Sequence, residues 1–110
     1  MKLKQCLIVI GTFWPTIALA AGDTFVTGNR LLDECSRRSE FCTGYIAGLT
    51  DEMLLFDVIR KQRTACLPDK VLLGQIIDIA MNHLHAHPES RQYNAGSIIT
   101  FALMKAFPCN

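Results

Sequence analysis

Residues Thr43–Arg63, TGYIAGLTDEMLLFDVIRKQR, decide the fold, because their apolar positions recur at the spacing of an α-helix and never alternate as a strand would. At about 100° per residue, Tyr45, Ile46, Leu49, Met53 and Phe56 fall within one arc, which the pattern predicts as the core face. Ala47, Leu54, Leu55 and Val58 fall on the opposite side, so one neighbour cannot cover both faces. A helix central to a small bundle is the plain reading, and a dimer or partner surface is the alternative. Gly44 and Gly48 stand one turn apart and permit close backbone approach, each at a cost of about 1 kcal/mol in helix propensity.

Three further helices follow from the same spacing. A short first one begins after the cap candidates Thr27-Gly28-Asn29, carries Leu31, Leu32 and Cys35 on one side, and ends in Ser36–Glu40. Downstream, Cys66-Leu67-Pro68-Asp69 reads as a stop and a cap before a helix over Val71–His87, with Leu72, Leu73, Ile76, Ile77, Ala80 and Leu84 in one arc. Pro88 ends it, since proline disfavours a helical predecessor and has no backbone donor. The last helix, about Asn94–Phe107, turns Ala95, Ile98, Ile99, Ala102, Leu103 and Ala106 inward. The predicted class is all-α, a bundle of four to five helices in a single domain, because 110 residues leave room for no second core.

Eleven Lys+Arg against ten Asp+Glu provide no broad basic face for nucleic acid, and 50% hydrophobic content excludes a disordered chain. Lys2 and Lys4, the apolar run Cys6–Leu19 and the small residues Ala18-Leu19-Ala20 form a secretory signal, residues 1–20. The run is shorter than the roughly 20 residues a spanning helix needs, so cleavage near Ala20 is expected to release residues 21–110 as a soluble domain without a membrane anchor. Removal takes Lys2, Lys4 and Cys6 away, shifting the net charge from +1 to −1. Gly22–Val26 reads as a loose arm.

Four cysteines remain, Cys35, Cys42, Cys66 and Cys109, delivered to an oxidising space where disulfides are the default. A helix of about 20 residues is about 30 Å long, whereas a disulfide needs its Cα atoms within about 7 Å, so Cys42 and Cys66 do not pair. Two connectivities survive: Cys35–Cys42 with Cys66–Cys109, and Cys35–Cys66 with Cys42–Cys109. The first is favoured, as a local clasp plus a tie on the carboxyl terminus, and the larger loop is expected to add roughly 3 to 4 kcal/mol.

Catalysis and metal binding find little support. His83 and His87 have the i, i+4 spacing of helical metal sites, but His85 projects to the polar side and only Glu89 is an acid close in sequence. No metal and no cofactor are therefore expected. The cysteines are better used in bridges than as nucleophiles, no serine sits in a nucleophile elbow, Asp51 and Glu52 diverge, and no Gly-rich phosphate loop occurs. The remaining work is binding rather than catalysis.

Read in order, Gly28-Asn29-x-Leu31-Leu32-x-x-Cys35, Cys42-x-Gly44-Tyr45-Ile46-x-Gly48, Cys66-Leu67-Pro68, Gln75, His87-Pro88-Glu89, and Ala102-Leu103 to Phe107-Pro108-Cys109 resemble the Rap/Tai family. These are small periplasmic immunity proteins that neutralise amidase effectors of type VI secretion. The resemblance implies a disulfide-bonded helical fold, often dimeric, that plugs the active-site groove of a papain-like Cys/His peptidoglycan amidase with a loop late in the chain. Here that loop is the turn after His87, with Glu89, Ser90, Arg91, Gln92 and Tyr93 as the expected partner contacts. A rival from another class is a periplasmic acid-stress chaperone, prompted by the extra apolar helix face and the three histidines.

Overall fold

The computed structural model describes Gly11 and residues 24–110; the expected signal and its cleavage point lie outside the described residues, Gly11 apart. Four α-helices follow in order, α1 (Gly28–Ser36), α2 (Glu40–Arg60), α3 (Leu73–Ala86) and α4 (Ala95–Ala106), with a single 3-10 turn, Pro88–Ser90, between the last two. Among the described residues the only β feature is an isolated antiparallel bridge between Thr27 and Asn94. None of the described helices is long and apolar enough to cross a membrane.

Caps set the boundaries. The Thr27 hydroxyl accepts from the Arg30 N–H at 3.2 Å and starts α1. Ser39 does the same for Cys42 at 3.2 Å, which starts α2 at Glu40, three residues before the point the apolar spacing indicates. Lys61 in the left-handed conformation, φ 53°, ends α2 three residues early. Asp69 is not the cap of α3. The chain runs on irregularly to Leu72, whose N–H donates to the Gln75 side-chain oxygen at 2.8 Å, half of a capping box.

The core is one cluster, with Leu31, Ile46, Leu84, Ile99 and Leu103 fully enclosed and Ile76, Ala80, Ala95 and Ala102 around them. The inward residues of α3 and α4 are those the spacing predicts, except that Leu72 and Ala106 are exposed. On α2 the buried set is Cys42, Ile46, Thr50, Met53 and Asp57, so the helix is rotated by about 50° from the predicted face. Tyr45 and Leu49 become its margin, and Phe56 is 45% exposed.

Two polar side chains make that rotation tolerable. Thr50 donates its hydroxyl to the Ile46 carbonyl at 2.7 Å, and Asp57 accepts from both the N–H and the hydroxyl of Thr64, at 2.9 and 2.6 Å. A buried polar group that is fully hydrogen-bonded carries little desolvation penalty, so neither resists burial. The Cys35–Cys42 disulfide also holds that side of α2 against α1. The helix is therefore not central: among the described residues its outer face, with Val58 75% and Ile59 63% exposed, meets no other element.

Both disulfides have the favoured pattern. Cys35 and Cys42 are joined with Cα atoms 4.9 Å apart, and Cys66 and Cys109 with Cα atoms 5.1 Å apart. The second ties the segment after α2 to the chain end, where the Cys66 N–H also donates to the Phe107 carbonyl at 2.9 Å. The start of the described chain is not a loose arm. Val26 is buried, its carbonyl accepts from the Ala95 N–H at 2.9 Å and from the Thr24 hydroxyl, and Asn94 bonds back to Thr24.

Candidate functional site: a loop held between two helix ends

The loop between α3 and α4 is held from both sides. At the amino end of α1, two N–H groups that have no partner within the helix find one in the loop. Gly28 donates to the Tyr93 carbonyl at 3.0 Å and Asn29 to the Arg91 carbonyl at 2.8 Å. At the carboxyl end of α3, the Arg91 side chain does the complementary work, donating from Nε to the Leu84 carbonyl at 2.7 Å and from Nη2 to the His85 carbonyl at 3.3 Å. Ser90 donates from its N–H and its hydroxyl to the His87 carbonyl, at 3.2 and 3.1 Å. On the far side, the Asn94 side chain accepts from Ser97 and opens α4.

These bonds divide the five residues expected to meet a partner. The Arg91 guanidinium and the Ser90 hydroxyl are engaged within the molecule, so they shape the loop. Glu89, Gln92 and Tyr93 are exposed, Tyr93 by 62%. Gly28 explains why no side chain stands at that point of α1: a Cβ there would lie 2.9 Å from Ile98 Cδ1 and 3.0 Å from the Arg91 Cα and carbonyl oxygen. The α1 backbone and the loop backbone are in direct contact.

Beside the loop lies an open face that the helical spacing does not reveal. A hollow of about 330 Å³ is walled by His83, His87, Glu89, Tyr93 and Phe101, among others, and a shallow second one of about 640 Å³ by Tyr45, Leu49, Glu52, Phe101 and Met104. Phe101 stands on the ridge between them, with Met104 one turn on. Both are exposed, Phe101 by 53% and Met104 by 44%, and large apolar residues on the outer side of a helix were the available signal. Tyr45, half-buried at the margin, has its hydroxyl pKa raised by burial, with the Gly96 backbone opposing the shift and Glu52 adding to it.

The histidines fall as the spacing predicts: His83 and His87 are half-buried with rings 4.3 Å apart, and His85 is exposed. Among the described residues no three His, Cys, Asp or Glu side chains converge as a metal site. The face is apolar and aromatic with a few polar groups at its edge, a composition suited to holding another polypeptide.

No curated protein and no solved structure matches the chain. The profile of one family, Rap1a immunity proteins, matches residues 27–109, from the cap of α1 to the last cysteine. That span holds all four helices, both disulfides and the clamped loop. The chain belongs to the Rap1a immunity protein family, whose members act by binding a partner effector protein.

Proposed function

We propose that the protein is a periplasmic immunity protein that occludes the active-site groove of a peptidoglycan amidase effector of type VI secretion. The observation that carries this reading is the loop held between the ends of α1 and α3, with Glu89, Gln92 and Tyr93 turned outward. An inhibitor gains affinity when its inserting segment is ordered before binding, because ordering then costs nothing at the moment of contact. Occlusion needs no chemistry from the inhibitor, and the protein acts without catalysis, metal or cofactor. The two disulfides suit a domain that works outside the reducing cytosol.

The test is inhibition of the amidase encoded beside the gene. Purified protein is expected to abolish its hydrolysis of peptidoglycan peptide stems near one-to-one stoichiometry. Undiminished amidase activity at a several-fold excess would overturn the reading.

The outer face of α2, with Leu54, Leu55, Val58 and Ile59 exposed, is the surface we assign to a second copy of the chain. Cβ atoms built on Gly44 and Gly48 meet nothing within 4 Å, so the same face admits a close helix. Sedimentation is expected to show a dimer that Leu55→Glu converts to monomer without loss of helical signal, since a charge buried in an apolar interface is unfavourable. A wild-type monomer at micromolar concentration would remove this assignment.

A further inference from the structure

The carboxyl end of α3 carries an arrangement that the inhibitory reading does not use. His87 is the residue at which α3 stops: its N–H donates to the His83 carbonyl at 3.0 Å, its carbonyl receives Ser90, and its Nδ1–H donates to Glu89 Oε1 at 2.9 Å. One turn back, the His83 ring lies 4.3 Å from that of His87 and sets its edge toward Phe101 of α4, at 6.1 Å between centroids. Among the described residues, the hydrogen bonds that fasten the loop to the end of α3 are made by His87 and by Arg91.

We propose that His83 and His87 form a proton-operated latch on the Glu89–Tyr93 loop, closed while His83 is neutral and opened when His83 takes a proton as the surroundings become acidic. The use of the latch rests on the immunity reading above; its existence does not.

The groups facing the pair decide how readily His83 takes a proton. The Glu89 carboxylate accepts from the His87 Nδ1–H, a bond that an imidazolium at His87 would strengthen. The bond with His87 in turn holds the Glu89 carboxyl below its usual range, after a larger lowering by its own backbone N–H. A proton can also enter His83. There it meets partial burial, the neighbouring His87, and the Lys105 ammonium, which lies over the Phe101 ring at 5.6 Å; Glu89 alone favours it and is already occupied. His83 is accordingly held below its ordinary value of 6.5.

Once both rings carry a proton, two cations lie one turn apart, with their centroids 4.3 Å from each other. His83 is fixed inside the helix, whereas His87 stands just past its last residue, so His87 swings away. That movement breaks the bond to Glu89 and disturbs the carbonyl that holds Ser90, while Gly28 and Asn29 still grip the other end of the loop. The sign follows. A group whose folded pKa is lowered contributes stability that is complete above its unfolded value and is lost as pH falls toward the folded one, so the latch holds at neutral pH and opens in acid.

Imidazole proton resonances of the oxidised protein, purified as exported, test the latch without any partner. His83 is expected to titrate below the free-histidine range, and the amide signals of Glu89–Tyr93 to move with the His83 step. His87→Gln should raise the His83 titration, and His85→Gln should leave it unchanged. Titration of His83 at or above its ordinary value of 6.5, or loop amides indifferent to the His83 step, would overturn the proposal.

A second arm measures affinity for the amidase encoded beside the gene. Wild type is expected to bind roughly tenfold more weakly at pH 5.5 than at pH 7.5, with a much flatter profile in His83→Gln. Equal pH profiles for the two proteins overturn the coupling of latch to binding. If no binding occurs at any pH, the immunity reading fails, and the resonance titration still decides the latch.

Discussion

Replacing Cys66 and Cys109 together by serine is expected to destabilise the protein by about 4 kcal/mol, the largest stability effect of any change at a single tie in this fold. The estimate follows from the 43-residue separation, because a crosslink restricts the unfolded chain more as the loop it closes grows. The Cys35–Cys42 bridge spans only 7 residues, and by the same relation its removal costs about 2 kcal/mol. For a domain of this size about 4 kcal/mol corresponds to a fall in Tm of roughly 15 °C or more, readable by circular dichroism. The two double mutants must rank in that order; equal losses, or a larger one at Cys35–Cys42, would mean that native packing rather than loop closure sets the cost.

The location of the tie gives this number structural meaning. Between α2 and α3 the chain runs from Lys61 to Leu72 without regular structure, anchored by buried Ala65, by the bonds of Thr64 to Asp57, and by Cys66. Small domains hold only about 5 to 15 kcal/mol in total, so a bridge worth about 4 kcal/mol is a large share. Reduction of the protein would put the fold at risk, which is consistent with a domain made for an oxidising compartment.

Helix number and the identity of the bridged cysteines were readable from the sequence because both rest on local spacing. Periodicity marks an amphipathic helix wherever it sits, and the length of α2 by itself keeps Cys42 from Cys66. The face of α2 was not readable in full, since Thr50 and Asp57 count as polar in any pattern. Their burial depends on Ile46 four residues back and Thr64 seven residues on. The loop clamp was less readable still. It is made by backbone N–H groups of Gly28 and Asn29 reaching carbonyls more than sixty residues away, and no side-chain pattern encodes such a bond. Gly28 looked like a cap residue, and its reason for lacking a side chain appears only when Arg91 and Ile98 are placed against it. Arg91, expected as a partner contact, instead lays its guanidinium on the end of α3, a bond that depends on the placement of the Leu84 and His85 carbonyls.

That distinction between residues that shape the loop and residues that present it leads to the prediction with the largest effect on binding. Tyr93→Ala is expected to weaken the complex with the amidase by at least about 2 kcal/mol, thirtyfold or more, while leaving thermal stability close to wild type. Tyr93 combines an exposed aromatic ring with a carbonyl that Gly28 pins at 3.0 Å, so the ring is presented from a fixed backbone, and the substitution removes the ring but keeps the pin.

Gly28→Ala should act in the opposite manner. The new methyl would lie within 3.0 Å of the Arg91 backbone and of Ile98, so either α1 or the loop must retreat and the bonds from Gly28 and Asn29 lengthen. Overpacking of this kind costs about 1 to 3 kcal/mol of stability. It should also weaken binding, although Gly28 itself is buried and has no side chain to offer a partner. Measured side by side, the pair separates two mechanisms. If the loop inhibits because it is rigid, Tyr93→Ala loses affinity alone and Gly28→Ala loses affinity and stability together. Full affinity in Tyr93→Ala would remove the loop from the interface, and full affinity in a destabilised Gly28→Ala would show that the clamp serves only the fold.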